Sequence, residues 1–247
     1  MKVVALTSIK GGVGKTASAV NLAYEASRSG ARVLVWDLDP QGSATYLLQV
    51  RHRLRGDGAR GLVAAGGQLA PHIRATAIAG LHVLPSDLSL RFLDRYLDAA
   101  GRPRRRIDAL LRPLEDAYDL AVLDCPPGAS LAIESVVRAS DVLLVPVVPT
   151  TLAMLTLKQL EDIVGARRRP PGIVTFVSML DRRKRLQQDI TADQLERPGT
   201  LQTPVPNASV VERMGIRRAP VALYAPRSPA AAAYRELWEE VSLRLWS

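Results

Sequence analysis

Short, unbroken apolar runs alternate along the chain with longer stretches of helical periodicity. The runs lie at residues 3–8, 32–36, 81–85, 119–124, 140–149 and 172–178. Their hydrophobicity does not alternate between in and out, the pattern of strands buried on both faces. Between them, residues 17–29, 87–99, 104–117 and 151–164 carry apolar positions three and four apart, which predicts crossover helices. Ile107, Leu110, Leu111 and Leu114 share a face of the third, with the arginines at 104–106 as a solvated first turn. Leu152, Leu155, Leu160 and Ile163 are expected to point inward from the fourth. A last helix, about residues 228–246, puts Tyr234, Leu237, Trp238, Val241 and Leu245 on one stripe that packs on the body. This alternation predicts an α/β fold, a doubly wound, mainly parallel sheet flanked by helices, as a single domain over residues 1–247.

Residues 51–80 are patterned weakly. The stretch 51–61, with four arginines and a histidine, predicts a mobile basic loop followed by a weak helix, and Arg167–Arg169 with Pro170 and Pro171 predict a surface connector.

The candidate chemistry sits where apolar runs end. The first runs into Ile9-Lys10-Gly11-Gly12-Val13-Gly14-Lys15-Thr16, the order of strand, phosphate-cradling loop and helix start. Glycines permit the tight turn that points successive N–H groups at an anion, and the helix behind offers its positive end. Lys15 is expected to reach the β- and γ-phosphates and Thr16 to ligate magnesium. The second run ends in Asp37-Leu38-Asp39, and the run at 119–124 ends in Asp124, a position that places a carboxylate beside magnesium.

Read together, these segments resemble the ParA/MinD family of deviant Walker A ATPases, a class of P-loop NTPase, most closely its ParA-type (Soj-like) members. The pattern-opening glycine is replaced by Ile9, and Lys10 follows. The resemblance implies that Gly11, Gly12, Val13, Gly14, Lys15, Thr16 and Ala17 contact ATP and that Lys10 crosses a homodimer, with ATP sandwiched between subunits, to touch the partner's nucleotide. It implies that Asp39 orients or activates the attacking water, so that Lys10, Lys15 and Asp39 form the catalytic set. It further implies that Asp37 supports the Mg2+ site with Thr16 and Asp124, partly through water. Met179 and Pro206, the latter in Pro204-Val205-Pro206-Asn207, fall in segments implied to border the adenine. Arg182, Arg183 and Lys184, with Arg213, Arg217 and Arg218, fall in two stretches implied to bind double-stranded DNA without sequence preference. Family members often carry a Pro-Glu pair after the run at 140–149; here it is Pro149-Thr150.

Composition narrows the function classes. A net charge of +9 suits a polyanionic partner. Aromatic residues are only 4% of the chain, which favours phosphate contacts to a duplex over stacking of single strands. A single cysteine, Cys125, allows no internal disulfide and supplies no paired thiolates for an iron–sulfur cluster, so it is expected as a buried filler. His52, His72 and His82 lack metal-ligand spacing. No run approaches the ~18–20 apolar residues of a membrane span and no signal pattern precedes the first strand, so a cytoplasmic protein is expected, and the resemblance implies association with the nucleoid rather than a membrane. No N-terminal DNA-reading domain is expected ahead of a strand at residue 3. The alternative is a MinD-like membrane-surface switch, against which the acidic face of the last helix, with Glu236, Glu239 and Glu240, argues. The expected function is slow, partner-stimulated ATP hydrolysis that moves a plasmid, chromosome origin or protein body over the nucleoid. The stimulating partner would be a ParB-like protein or a cargo adaptor.

Overall fold

The strands are β1 (Lys2–Leu6), β2 (Val33–Asp37), β3 (Arg74–Ala75), β4 (Leu81–Leu84), β5 (Leu120–Asp124), β6 (Val142–Val147) and β7 (Gly172–Val177). They form one sheet in the order β3-β4-β2-β5-β1-β6-β7. Every pairing is parallel except β3 with β4. The computed structural model describes residues 1–51, 54, 56–64, 67–128, 130–165 and 170–246. His52 and part of the basic loop at 51–61, and Arg167–Arg169 of the connector, lie outside the described residues.

Side chains alternate across each strand, so successive residues of β2 feed two apolar layers. Leu34 and Trp36 join Leu110, Ile133 and Leu157 on one face. Val33 and Val35 join Phe176, Tyr234 and Leu237 on the other. The second layer is roofed by α1 (Lys15–Arg28) and the last helix, Pro229–Trp246, whose stripe of Tyr234, Leu237, Trp238, Val241 and Leu245 is buried as expected. Central strands buried on both faces fix the ends of β1, β2 and β5 side by side. That alignment positions the site.

Four local expectations change. Residues 74–75 form β3, a strand too short to leave a periodic signal. Residues 59–63 form a helical turn, so the basic loop ends before Gly61. Residues 104–117 do bury Ile107, Leu110, Leu111 and Leu114, but the helix proper, Arg106–Leu111, gives way to a 3-10 turn at Pro113, which lacks the N–H a helix interior needs. Arg104, paired with Glu134, and Arg105 are exposed as expected, but Arg106, which opens the helix, is half-buried and donates from Nε to the Val63 carbonyl at 2.8 Å.

The helix Thr151–Gly165 also turns a different face to the core. Ala153, Leu157, Leu160 and Val164 are buried, whereas Leu152 is 65% exposed, Leu155 55% and Ile163 42%. Apolar residues almost encircle this helix, so two faces have comparable hydrophobicity. The face that includes the small Ala153 is the one that packs.

Candidate functional site

The loop after β1 is built by backbone freedom and one clamp. Gly12 and Gly14 have φ of 71° and 90°, values that L side chains rarely adopt. Gly14 caps α1, and a methyl group on it would lie 3.0 Å from the Ser178 hydroxyl. That hydroxyl, just beyond β7, donates to the Val13 carbonyl at 2.9 Å and ties the loop to the neighbouring strand end. The result is a cavity of about 420 Å³ at the amino end of α1.

Gly11, Gly12, Val13, Gly14, Lys15, Thr16, Ala17 and Asp39 line this cavity, and so do Met179 and Pro206 from the opposite wall. Lys10 does not. It is exposed and forms no ion pair among the described residues, whereas Lys15 is buried. Burial lowers the Lys15 pKa, opposed first by the charge of Asp124.

Asp37 and Asp124 are buried beneath the cavity at the ends of adjacent strands, paired in register. Asp37 is well provided for. Its Oδ2 accepts from Thr45 N at 2.8 Å and Thr45 Oγ1 at 2.7 Å, and its Oδ1 accepts from Asp39 N at 3.3 Å. Asp124 has only the Thr16 side chain and the charge of Lys15 beside it, and neither carboxylate oxygen makes a hydrogen bond of full geometry among the described residues. Burial and the charge of Asp37 push its pKa up to about 8, and burial pushes Asp37 up to about 6 despite the Thr45 bonds.

A buried carboxylate without donors is costly unless a cation completes it. Its place beside Thr16 and Lys15 fits a magnesium–nucleotide, which Thr16 and Asp124 would hold with Asp37 behind them. Asp39 stands at the cavity edge, its Oδ1 accepting from Gln41 N at 2.9 Å and its carbonyl from Ser86 Oγ at 2.5 Å. Cys125 is fully buried, and burial pushes its thiol far above the ordinary range, an inert filler.

The basic positions lie elsewhere on the surface. Arg182, Arg183 and Lys184 are exposed at the start of the helix Arg185–Leu195. Arg183 is held bidentate by Asp181 at 2.9 and 3.0 Å, which keeps that carboxyl down at about 2. Arg213 and Arg217 are exposed on a separate turn, and Arg218 beside them is half-buried.

Sequence reasoning missed several parts of the site. Asn207, Ala208, Val211, Glu212 and Tyr234 also line the cavity, and Tyr234 reads in sequence only as part of a core stripe. Thr45 and Ser86 position the carboxylates without touching the cavity. A hydroxyl eight residues after Asp37 carries no signal until the fold brings it back.

These features define a P-loop nucleotide hydrolase with its loop at the carboxyl end of a central parallel strand. Residues 1–169 match the family model described as an AAA domain. The chain is 35% identical to the chromosome-partitioning ATPase Soj of Thermus thermophilus, across 98% of this chain and 96% of that one. It is 29% identical to the sporulation initiation inhibitor protein Soj of Bacillus subtilis, with 98% of each covered. In structure it is similar to the septum site-determining protein MinD of Pyrococcus horikoshii complexed with Mg-ADP, with a TM-score of 0.78 at 22% identity over 97% of this chain and 95% of that one. The chain belongs to the ParA/MinD family of P-loop ATPases and is Soj-like within it. No helix among the described residues is long and apolar enough to cross a membrane.

Proposed function

We propose that this chain is one ATPase domain that dimerises on Mg-ATP, binds duplex DNA without sequence preference in that state, and positions a cargo by partner-stimulated hydrolysis. The observation that carries this reading is the division between its two loop lysines. Lys15 is buried in the cavity lining, while Lys10 is exposed, lies outside that lining and forms no ion pair among the described residues. A cation held outward at the mouth of a phosphate site has a use when a second subunit brings another phosphate to it.

The chemistry is in-line attack of water on the γ-phosphate. Backbone N–H groups of residues 11–16 and the Lys15 ammonium stabilise charge on the phosphate oxygens. Lys10 of the second subunit adds to that field. Asp39 orients the water, and its loop is fixed by Ser86. Bound magnesium would neutralise charge shared by the β- and γ-phosphates. A slow basal rate is expected of the chain without its partner.

The homology to Soj, a chromosome-partitioning ATPase in Thermus thermophilus, supports a partition or positioning role. Arg182, Arg183 and Lys184, with Arg213 and Arg217, supply exposed charge for phosphate contacts. A ParB-like protein or a cargo adaptor is the expected activator.

The test is duplex binding with ATP, with ADP and without nucleotide, across a salt series. Binding restricted to the ATP state and weakening steeply with salt is expected. Equal binding in all three states would sink the switch. Arg182→Ala with Arg183→Ala should weaken binding while ATP is still bound.

A further inference from the structure

Arg218 is held differently from its basic neighbours. It ends the short helix Met214–Arg217 in the left-handed region, φ 49° and ψ 52°, a conformation that arginine adopts only under constraint. Its guanidinium lies 4.5 Å from the centre of the Tyr46 ring, and its Nε donates to the Tyr46 carbonyl at 3.1 Å. Gln49 Nε2 returns a bond to the Arg218 carbonyl at 2.9 Å. These contacts join two segments more than 160 residues apart.

Tyr46 belongs to α2 (Ser43–Leu47), and its neighbour Thr45 gives both the backbone and hydroxyl bonds to Asp37. The same hydroxyl accepts from Ser86 N at 2.9 Å, and Ser86 Oγ holds the Asp39 carbonyl. An unbroken path therefore runs from Asp39 through Ser86, Thr45 and Tyr46 to Arg218 and the turn that bears Arg213 and Arg217. On its other side that turn is tied to α1, because Asn21 Nδ2 donates to Met214 Sδ at 3.2 Å. Arg218 is also the wall between two cavities, of about 500 and 280 Å³, that flank α2. The clasp side chains have space around them, while Ala44 and Leu47 anchor the inner face of α2 in the core.

We propose that Arg218 is a positioning residue that clasps α2 to the 209–217 turn, so that this turn follows the state of the Asp39 loop. Arg213 and Arg217 then present their charge to a duplex in one nucleotide state and not the other. Only this last step rests on the DNA-binding reading given above. The guanidinium is required for its shape as well as its charge: a lysine keeps the cation but loses the planar stack and the Nε donor.

The experiment measures amide hydrogen exchange of residues 209–217 without DNA, in Mg-ATP and in Mg-ADP, and duplex affinity in the same two states. Wild type is expected to exchange more slowly in ATP. R218K and Y46L should lose that difference and bring the ATP-over-ADP ratio of duplex affinity down towards one, and the double variant should be no worse than either single one. Y46F, which retains the ring, should behave as wild type. Binding of labelled ATP, followed in parallel, reports an intact nucleotide site. Wild-type protection in R218K or Y46L overturns the proposal, as does a wild-type turn that exchanges alike in both states. If exchange behaves as expected while wild type binds no DNA, the clasp stands and the DNA-binding reading fails.

Discussion

Asp37 and Asp124 end neighbouring strands in direct register, yet Thr45 and the Asp39 N–H bond Asp37, whereas Asp124 has only the Thr16 side chain and the charge of Lys15 beside it, with no hydrogen bond of full geometry among the described residues. Asp124→Asn should therefore stabilise the magnesium-free protein by about 1–3 kcal/mol at neutral pH, because it replaces a carboxyl whose ionisation burial and Asp37 oppose with a neutral side chain of the same shape. The same change should cut ATP turnover severely. Urea midpoints in EDTA and phosphate release in magnesium measure the two effects. A loss of stability would mean that Asp124 is satisfied in solution.

The pH dependence follows from the same pair. A carboxyl whose folded pKa is raised binds more protons folded than unfolded, so stability falls as pH rises from the unfolded value, about 4, towards the folded one. For Asp124 that window extends to about 8. In EDTA the wild-type urea midpoint should decline between about pH 5 and 8, and Asp124→Asn should flatten most of the decline. A wild-type midpoint that rises across this range would reverse the sign and remove the argument.

The parts of this molecule legible in sequence are those in which neighbouring residues share one job. Residues 9–16 are such a part, because turn, amides, cation and hydroxyl must all be adjacent to hold one phosphate chain. The central strands are another, since burial on both faces leaves a continuous apolar run. What stayed hidden depends on tertiary partners. The helix 151–165 carries apolar residues on nearly all sides, so local pattern could not tell that Leu157 packs and Leu155 does not. Arg218 reads as one more charge in a basic stretch, and its role emerges only when Tyr46 is folded against it. Thr45, Ser86 and Ser178 act through single hydroxyls, which leave no periodicity.

The two left-handed glycines of the loop should differ in their tolerance. At Gly14, φ of 90° and a contact of 3.0 Å to Ser178 Oγ combine backbone strain with a clash. At Gly12 only the φ of 71° opposes a side chain, with no atom within 4 Å. Gly14→Ala should cost about 2 kcal/mol or more and impair ATP binding, while Gly12→Ala should cost about 1 kcal/mol. Thermal or urea unfolding separates them, and equal costs would show that the Ser178 clamp yields freely.

Two leucines on one helix provide a test of its observed rotation. Leu157 is 3% exposed and Leu155 is 55% exposed. Leu157→Ala should destabilise the protein by about 2–5 kcal/mol through lost burial and a cavity. Leu155→Ala should stay within about 0.5 kcal/mol. Reversed magnitudes in urea titrations would restore the inward face expected from sequence.

The loop lysines should separate binding from assembly. Lys15 is buried among the residues that line the cavity, and its loss removes charge-assisted hydrogen bonds worth about 1.5–3 kcal/mol. Lys15→Ala should therefore weaken ATP binding by roughly 10- to 150-fold. Lys10 lies outside that lining, so Lys10→Ala should still bind ATP, but as a monomer. Light scattering in Mg-ATP at matched saturation measures the mass of each variant. An ATP-dependent dimer formed by Lys10→Ala with turnover intact would assign Lys10 to its own subunit's surface and leave the dimer without its proposed cation.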